Sequence, residues 1–190
     1  MSWKVLVCVL VSVVRTLSVA LAAEQIVPPA VPPALTVPDA FKPFLKAHAV
    51  GTQNYICAPA ATPSGFDWLF IGPQATLFDD DLGQSLTHFQ SVNAFQNAIQ
   101  ATWQHSRDSS VVWAAKHSGA TVTPDAIEWL LLDVTGTELG PTGGDKLART
   151  TYVQRVNTVG GVKPPSTECG SSTLNTRRLV PYQADYYFYR

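Results

Sequence analysis

Short apolar runs alternate with polar, glycine-rich and proline-rich breaks along most of this chain. After residue 51 no long segment keeps the 3.6-residue apolar period of an amphipathic helix. The apolar runs are rich in β-branched and aromatic residues, which favour strands. We expect strands at 66–71, 74–79, 111–115, 127–134, 147–156 and 179–189. The pattern predicts one all-β domain, an antiparallel β-sandwich or barrel with long loops.

Three segments between these strands need a separate interpretation. Thr123-Pro124-Asp125 is typical of a helix start, so 127–132 is either a helix or the buried strand that we favour. Residues 93–100 are predicted to form one helical turn within a long loop. Residues 136–145, which contain four glycines and Pro141, are predicted to form an irregular loop.

The densest aromatic stretch lies at residues 182–189, near the C-terminus. In a strand, alternate residues face opposite sides of the sheet. One face carries Tyr182, Ala184, Tyr186 and Phe188, and we expect it to be core. The other face carries Gln183, Asp185, Tyr187 and Tyr189. Ordinary packing is favoured for this second face as well, with a platform for stacking sugars as the alternative.

The beginning of the chain has the pattern of a targeting segment. An apolar run at 5–14 follows Lys4, and small residues stand at Ala20 and Ala22. We predict a signal peptide at residues 1–22, cleaved after Ala22, and therefore a secreted, extracellular protein. An uncleaved membrane anchor is the alternative, but the run is shorter than the roughly 20 residues of a membrane span.

The mature chain divides into a leader and a domain. Residues 23–50 are predicted to be a Pro-rich leader that ends in a short helix at 39–48, and residues 51–190 to be the β domain. The leader is interpreted as an extended spacer, with a docking segment for an aromatic groove as the alternative.

Composition limits the classes of partner. Hydrophobic residues make up 46% of the chain and charged residues 14%, which does not fit a disordered protein. The 13 Lys and Arg are balanced by 14 Asp and Glu, so we expect no nucleic-acid partner. After cleavage of the signal peptide we expect no membrane partner either.

The cysteine count predicts a disulfide. Cys8 would leave with the signal peptide, which leaves Cys57 and Cys169, and an even number of cysteines in an exported chain favours a bridge. The alternative is a nucleophilic Cys57. Its neighbours match no cysteine-protease signature, so the disulfide is favoured.

The motifs of cofactor-dependent and hydrolytic enzymes are missing. The chain has no Gly-rich dinucleotide or nucleoside-triphosphate motif, no G-x-S-x-G and no H-E-x-x-H, so no cofactor is predicted. The candidate catalytic residues are His88, His105, Asp108, Glu128 and Arg155. Histidines on strands and loops can also converge on a metal, which makes a divalent cation at His88, His105 and His117 the alternative.

Each of these candidates also has a structural interpretation. For the histidines it is a surface or hydrogen-bonded imidazole. Glu128 and Arg155 lie within alternating apolar runs, so both are expected to face solvent. The alternative for Arg155 is a clamp for an anionic ligand.

Several longer motifs together point to a family. They are 51–57 (GTQNYIC), 73–79 (PQATLFD), 102–104 (TWQ), 126–132 (AIEWLLL), 153–158 (VQRVNT) with 160–161 (GG), and 180–189 (VPYQADYYFY). Through them the chain resembles a family of small secreted fungal and bacterial proteins whose shared domain has no known function. The resemblance covers about residues 51–189, and 103–113 look like the fungal branch. It implies a β-rich exported domain and no particular activity.

Some fungal members of that family bear the label malate dehydrogenase. Such an enzyme would need a parallel sheet with a Gly-rich cofactor turn and arginines that clamp a dicarboxylate, in a much longer chain. We therefore do not expect malate dehydrogenase activity.

Two functions remain open at this point. The first is a secreted, non-enzymatic binding or surface-interaction module, whose partner would be a glycan, a cell-wall component or a secreted protein. The second is an extracellular enzyme acting on glycans or small molecules through the His and Asp candidates. The second requires at least three of the candidate residues to converge in one concave pocket.

Overall fold

A computed structural model describes residue 1 and residues 25–190. The predicted signal peptide therefore lies, apart from Met1, outside the described residues. Eight strands make up the fold: β1 (Pro43–Pro59), β2 (Phe66–Phe78), β3 (Gln84–Asn93), β4 (Ala98–His105), β5 (Val111–Ala120), β6 (Trp129–Glu138), β7 (Tyr152–Gly160) and β8 (Arg177–Tyr189). Short 3₁₀ turns occupy Pro33–Leu35, Ser166–Glu168 and Ser171–Thr173.

The strands form a closed antiparallel barrel in chain order, and β8 completes the ring by pairing with β1. This confirms the all-β prediction and decides between the sandwich and the barrel. Closure leaves the sheet without open edges. Because consecutive strands pair antiparallel, the loops between them alternate between the two ends of the barrel.

The two ends differ, and we name them by what fills them. The closed end carries the loops 79–83, 106–110 and 139–151. Its interior is packed with fully buried apolar side chains: Leu77, Leu86, Val112, Leu147, Val153 and Phe188. The open end carries the loops 60–65, 94–97, 121–128 and 161–176. Its interior is not filled by side chains in this way, and a cavity lies there.

Strand β8 shows how alternation creates the two surfaces of the wall. Tyr182, Ala184, Tyr186 and Phe188 point into the barrel and are at most 2% exposed, which confirms the core face. Tyr187 and Tyr189 on the outer face are also buried. The Tyr189 hydroxyl donates a hydrogen bond to Gln154 Oε1 at 2.9 Å. The alternative of an open sugar-stacking platform on this outer face is therefore wrong.

The outer face of β6, β7 and β8 is covered by the N-terminal segment, which we define as residues 25–42. Ile26, Val31, Val37 and Phe41 pack against Val156, Tyr187 and Tyr189. Leu35 is fully buried, and its carbonyl accepts a hydrogen bond from Gln154 Nε2 at 2.8 Å. The interpretation of this stretch as a spacer is therefore wrong. Its apolar residues cover an apolar outer face that would otherwise be exposed to water.

The predicted short helix at 39–48 is also wrong, because β1 begins at Pro43. Pairing with β8 from Pro43 onward overrides the weak helical pattern of this stretch. The folded domain consequently begins before residue 51, where the sequence pattern placed its start.

Other boundaries shift for identifiable reasons. Strand β2 runs through Gly72-Pro73, because a bulge opposite Asn54 and Tyr55 bends it there and Gly72 adopts φ +118°. The helical turn expected at 93–100 is instead the tight turn of the β3–β4 hairpin. Strand β7 begins at Tyr152 rather than at residue 147, since Leu147 belongs to the loop that fills the closed end. The favoured strand at 127–134 is confirmed as β6.

The Cys57–Cys169 disulfide is confirmed, with the two Cα atoms 5.4 Å apart. It packs with Tyr55 and Trp68 in a small second core. The bridge ties the 161–176 loop to β1 at the open end, where Cys57 N also donates to the Thr176 carbonyl at 3.0 Å. Within the described part of the chain, no helix is long and apolar enough to cross a membrane.

Candidate ligand-binding cavity at the open end of the barrel

A cavity of about 400 Å³ occupies the interior of the open end, and we call it the central cavity. Its size lies within the range of small-molecule sites, about 300–1,000 Å³. An eight-stranded barrel is just wide enough either to be filled by its own side chains or to hold one small ligand. In this chain the closed end is filled and the open end is hollow.

The floor of the central cavity is aromatic. His88 on β3 stacks on Trp103 on β4, with ring centroids 4.3 Å apart. Tyr186, on β8 across the barrel, meets both rings edge-on at 5.3 and 5.4 Å. His88 and Trp103 are direct partners in the β3–β4 pair, whereas the Tyr186 contacts join β8 to two strands with which it does not pair. The three rings therefore close the floor of the cavity across the barrel.

His88 is a neutral part of this floor. Burial lowers its pKa to about 3, although the hydrogen bond to the Thr102 carbonyl opposes that shift. The 2.8 Å contact between His88 Nδ1 and that carbonyl requires a proton on Nδ1. The Nε2 lone pair of the same ring is then a hydrogen-bond acceptor.

A group of buried polar side chains lies at the central cavity. Gln53, Trp103 and Tyr186 line the cavity and are at most 3% exposed, and Trp103 Nε1 has no hydrogen-bond partner among the described residues. The Tyr182 hydroxyl lies against the Tyr186 hydroxyl and the Gln53 amide, and hydrogen bonding to these two side chains contributes to its pKa. Burial raises the pKa of Tyr182, so this hydroxyl keeps its proton. Buried polar groups are normally paired, and an unpaired one costs about 1–3 kcal/mol.

Arg155 on β7 brings a positive charge to the same wall. Its Nε and Nη2 both donate to the Glu128 carbonyl, at 3.1 and 2.9 Å, which fixes the guanidinium. Arg155 stands directly opposite Tyr186 on β8 and Leu130 on β6 in the strand register. The expectation that Arg155 faces solvent is therefore wrong, because the side of β7 that carries it faces the interior of the barrel.

The central cavity adjoins a second depression of about 570 Å³, which we call the outer pocket. Gln53, Phe70, Lys116, Leu130 and Arg155 line both. Arg155 consequently stands where the enclosed interior meets the mouth. Glu128 lines only the outer pocket, and its carboxylate forms an ion pair with Lys116.

The rim of the central cavity is apolar and exposed. Phe70 and Ile99 line it and are 46% and 69% exposed. The bulge in β2 shifts the strand register between Phe70 and Gly72, and the Gln90 side chain lies next to Gly72. Exposed apolar side chains beside a cavity are typical of a binding surface.

The structure divides the predicted catalytic residues between the two ends of the barrel. His88, Arg155 and Glu128 belong to the open end, with His88 and Arg155 in the central cavity and Arg155 and Glu128 in the outer pocket. His105 and Asp108 lie at the closed end, where His105 Nδ1 contacts Asp108 Oδ1 at 2.9 Å. No single cavity at the open end is lined by three of the five residues.

Asp108 has a clear structural task. Burial raises its pKa, but the N–H groups of Lys146 and Ser110, the Ser110 hydroxyl and His105 together lower it to about 2. By accepting from Lys146 N at 2.9 Å, the carboxylate anchors the loop that delivers Leu147 to the closed end.

The candidate metal ligands do not meet. His88 is inside the barrel, His105 pairs with Asp108, and His117 on β5 contacts Asp133 Oδ2 at 2.8 Å. In residues 25–190 no group of three His, Cys, Asp or Glu side chains is placed to hold a metal ion.

The residues that sequence reasoning missed are Gln53, Trp103, Tyr182 and Tyr186 as a group of donors. Tyr182 and Tyr186 were predicted on the core face of a strand, whereas no strand was predicted over Gln53 or Trp103. Nothing in the one-dimensional pattern indicates that a buried hydroxyl or amide will face a cavity. That property depends on three-dimensional packing around it.

Comparison with known proteins places the chain in a family. Residues 38–190 match the family described as Protein of unknown function (DUF3455), and the chain belongs to it. This confirms the predicted membership of a domain family without a known function. The match begins before β1, in agreement with a domain that includes residues ahead of Gly51. No curated protein and no solved structure matches the chain significantly.

Proposed function

We propose that this protein is a binding module that holds a small organic molecule in the central cavity of its barrel. The observation that carries the proposal is the hollow open end itself, a cavity of about 400 Å³ in a barrel whose other end is filled by its own side chains. Its wall carries the Arg155 guanidinium and the polar side chains of Gln53, His88 and Tyr186 on a mostly apolar surface, so it offers hydrogen-bond donors to a ligand with acceptors.

The shape of the site supports the same function. The interior is concave, mostly apolar and lined by a few convergent polar groups, which is the usual composition of a small-molecule site. The cavity wall comes from rigid strands, so the site is preformed and a ligand would not have to order it.

The test is dye binding to the chain with and without a filled cavity. The probes are two fluorescent dyes with the same ring system, neutral N-phenyl-1-naphthylamine and anionic 8-anilinonaphthalene-1-sulfonate. Ala101 lines the cavity, and Ala101→Phe should abolish binding of whichever dye the wild-type chain takes up. Ala94→Phe, in the exposed β3–β4 turn, is the matched control and should bind like wild type.

Ala98→Trp at the cavity wall serves as a second filling variant in case Ala101→Phe loses its fold, which thermal unfolding reports. If neither dye binds the folded wild-type chain, or if both filling variants bind as the wild type does, small-molecule binding in this cavity is refuted.

We also propose that the protein acts outside the cytoplasm. The Cys57–Cys169 disulfide supports this, because such bridges persist in oxidising compartments. Expression of the full chain in a secreting host should release a product whose N-terminus is Ala23. A product that stays in the cell with both thiols free would contradict the proposal.

A further inference from the structure

We infer that the ligand is an amphipathic anion, whose single acidic group binds at Arg155 and whose apolar body fills the central cavity. This inference rests on the proposed function, and it assigns the chemical class of the ligand and the direction in which it binds.

The first argument is charge. Arg155 and Lys116 are the charged residues on the central cavity wall, and no Asp or Glu lines it. Lys116 is neutralised by Glu128. Arg155 has no carboxylate within ion-pairing distance among the described residues, and both of its hydrogen bonds go to one main-chain carbonyl. An anion forms its most favourable charge-assisted hydrogen bonds with a partly buried guanidinium that has no counterion.

The second argument is the character of the neighbouring groups. Tyr186 stands opposite Arg155 in the strand register, and Gln53 shares both depressions with it. Both side chains carry a hydrogen-bond donor, the amide N–H of Gln53 and the hydroxyl of Tyr186. A carboxylate, sulfonate or phosphate offers several acceptor lone pairs, so it can accept from the guanidinium and from these donors together.

The third argument is the position of Arg155 along the path into the barrel. It lies where the central cavity meets the outer pocket, with Leu130 and Phe70 beside it on both sides of that boundary. Leu132, Ala101 and Ala114 form an apolar part of the central cavity wall that the outer pocket does not share. An anion bound at Arg155 therefore lies at the boundary of the two depressions, and the apolar part of the molecule occupies the central cavity.

The two dyes described above separate this inference from the proposed function, because they differ only by the sulfonate. The wild-type chain should bind the anionic dye at least about tenfold more tightly than the neutral one, the range of charge-assisted hydrogen bonds. Arg155→Met should remove that preference while leaving the affinity for the neutral dye within about twofold. Arg155→Lys should keep part of the preference, because a charge remains but the fork geometry does not.

Arg149→Met is the matched control, since Arg149 is exposed on the loop before β7 and lines neither depression. It should behave as wild type. Retained binding of the neutral dye also shows that Arg155→Met is folded. If Arg155→Met unfolds, Gln53→Leu takes its place and should lower the preference for the anionic dye.

The outcomes distinguish the two proposals. If Ala101→Phe blocks both dyes but wild type binds them equally, or Arg155→Met weakens both to the same extent, the anionic ligand is refuted and cavity binding stands. If the filling variants change nothing, cavity binding itself fails. An anion preference that survives both Arg155→Met and Gln53→Leu would overturn the role of Arg155.

Discussion

The two ends of this barrel use the same strands in different ways. At the closed end, Leu77, Leu86, Val112 and Phe188 are fully buried and fill the interior. At the open end, β1, β3 and β7 carry Gln53, His88 and Arg155 inward and leave a cavity of about 400 Å³. The closed end is therefore stabilised by apolar burial. The open end leaves the Trp103 indole N–H without a partner among the described residues, and the Cys57–Cys169 bridge holds its longest loop.

This contrast indicates that stability and binding are separated along the barrel axis. An empty, partly polar interior costs packing energy and unpaired hydrogen bonds. The complete core at the other end offsets that cost. Substitutions at the closed end should therefore mainly lower stability, and substitutions at the open end should mainly change binding or local opening. Four experiments test this difference, beginning with the largest expected effect.

Truncation in the closed end should have the greatest effect on stability. Phe188→Ala removes a fully buried ring that meets Trp103 edge-on at 6.0 Å, and it should cost about 3–5 kcal/mol of unfolding free energy. Urea unfolding measures the loss. Val92→Ala, an exposed residue at the open end, is the control and should change stability by less than about 0.5 kcal/mol. Equal losses in both variants would remove the distinction between the ends.

Loss of the disulfide should affect the open end first. The double variant Cys57→Ala, Cys169→Ala should lose about 2–5 kcal/mol, since the bridge links residues 112 apart in sequence. Amide hydrogen exchange should rise most in the 161–176 loop and in β1 near Cys57, and least around Leu86 and Val112 in the closed end. Reduction of the wild-type bridge should reproduce this pattern. A uniform rise along the barrel would contradict it.

Acid should destabilise the protein through His88. Its pKa is about 3 when folded and about 6.5 when unfolded, so the unfolded chain binds a proton that the folded chain does not. The stability from neutral His88 is complete above pH 6.5 and is lost as the pH falls towards 3. Between pH 7 and 4.5, wild type should lose about 2–3 kcal/mol more than His88→Phe.

The control for this pH dependence is His117→Phe. The His117 side chain is 54% exposed outside the barrel, so this variant removes a histidine and leaves the buried imidazole of His88 in place. This variant should show the full acid loss of the wild type. If His88→Phe loses as much stability in acid as His117→Phe, the buried imidazole does not cause the acid destabilisation.

Two buried tyrosines on β8 offer the finest comparison. Tyr189→Phe breaks a hydrogen bond to Gln154 Oε1 and should cost about 1–2 kcal/mol. Tyr186→Phe removes a hydroxyl whose contact with the Tyr182 hydroxyl is not a well-formed hydrogen bond, so stability should fall by less than about 1 kcal/mol and by less than in Tyr189→Phe. Affinity for the anionic dye should fall in Tyr186→Phe and not in Tyr189→Phe. The reverse pattern would show that the Tyr186 hydroxyl is a structural group.

The success of sequence reasoning differs between parts of the fold. Strand β8 was predicted almost to its ends, because its alternating aromatic and small residues have one clear period. Strands β3 and β4 were missed, because buried polar residues such as His88 and Thr102 interrupt their apolar pattern and Val92, Phe95 and Ile99 are exposed. Within the site, His88, Glu128 and Arg155 were named in advance, but the environment that defines Arg155 was not.

What the sequence alone determined is the all-β class, the alternation along each strand, and the two cysteines that form the bridge. The strand class and the alternation follow from the local order of apolar and polar residues, and the bridge follows from the number of cysteines. Both can be read without the fold. Only the tertiary structure decided which face of β7 points inward, that β8 closes on β1, and that the N-terminal segment covers the outer wall. Period-two alternation groups residues by face but does not name the face, and only closure brought Gln53, His88, Arg155 and Tyr186 from four strands around one cavity.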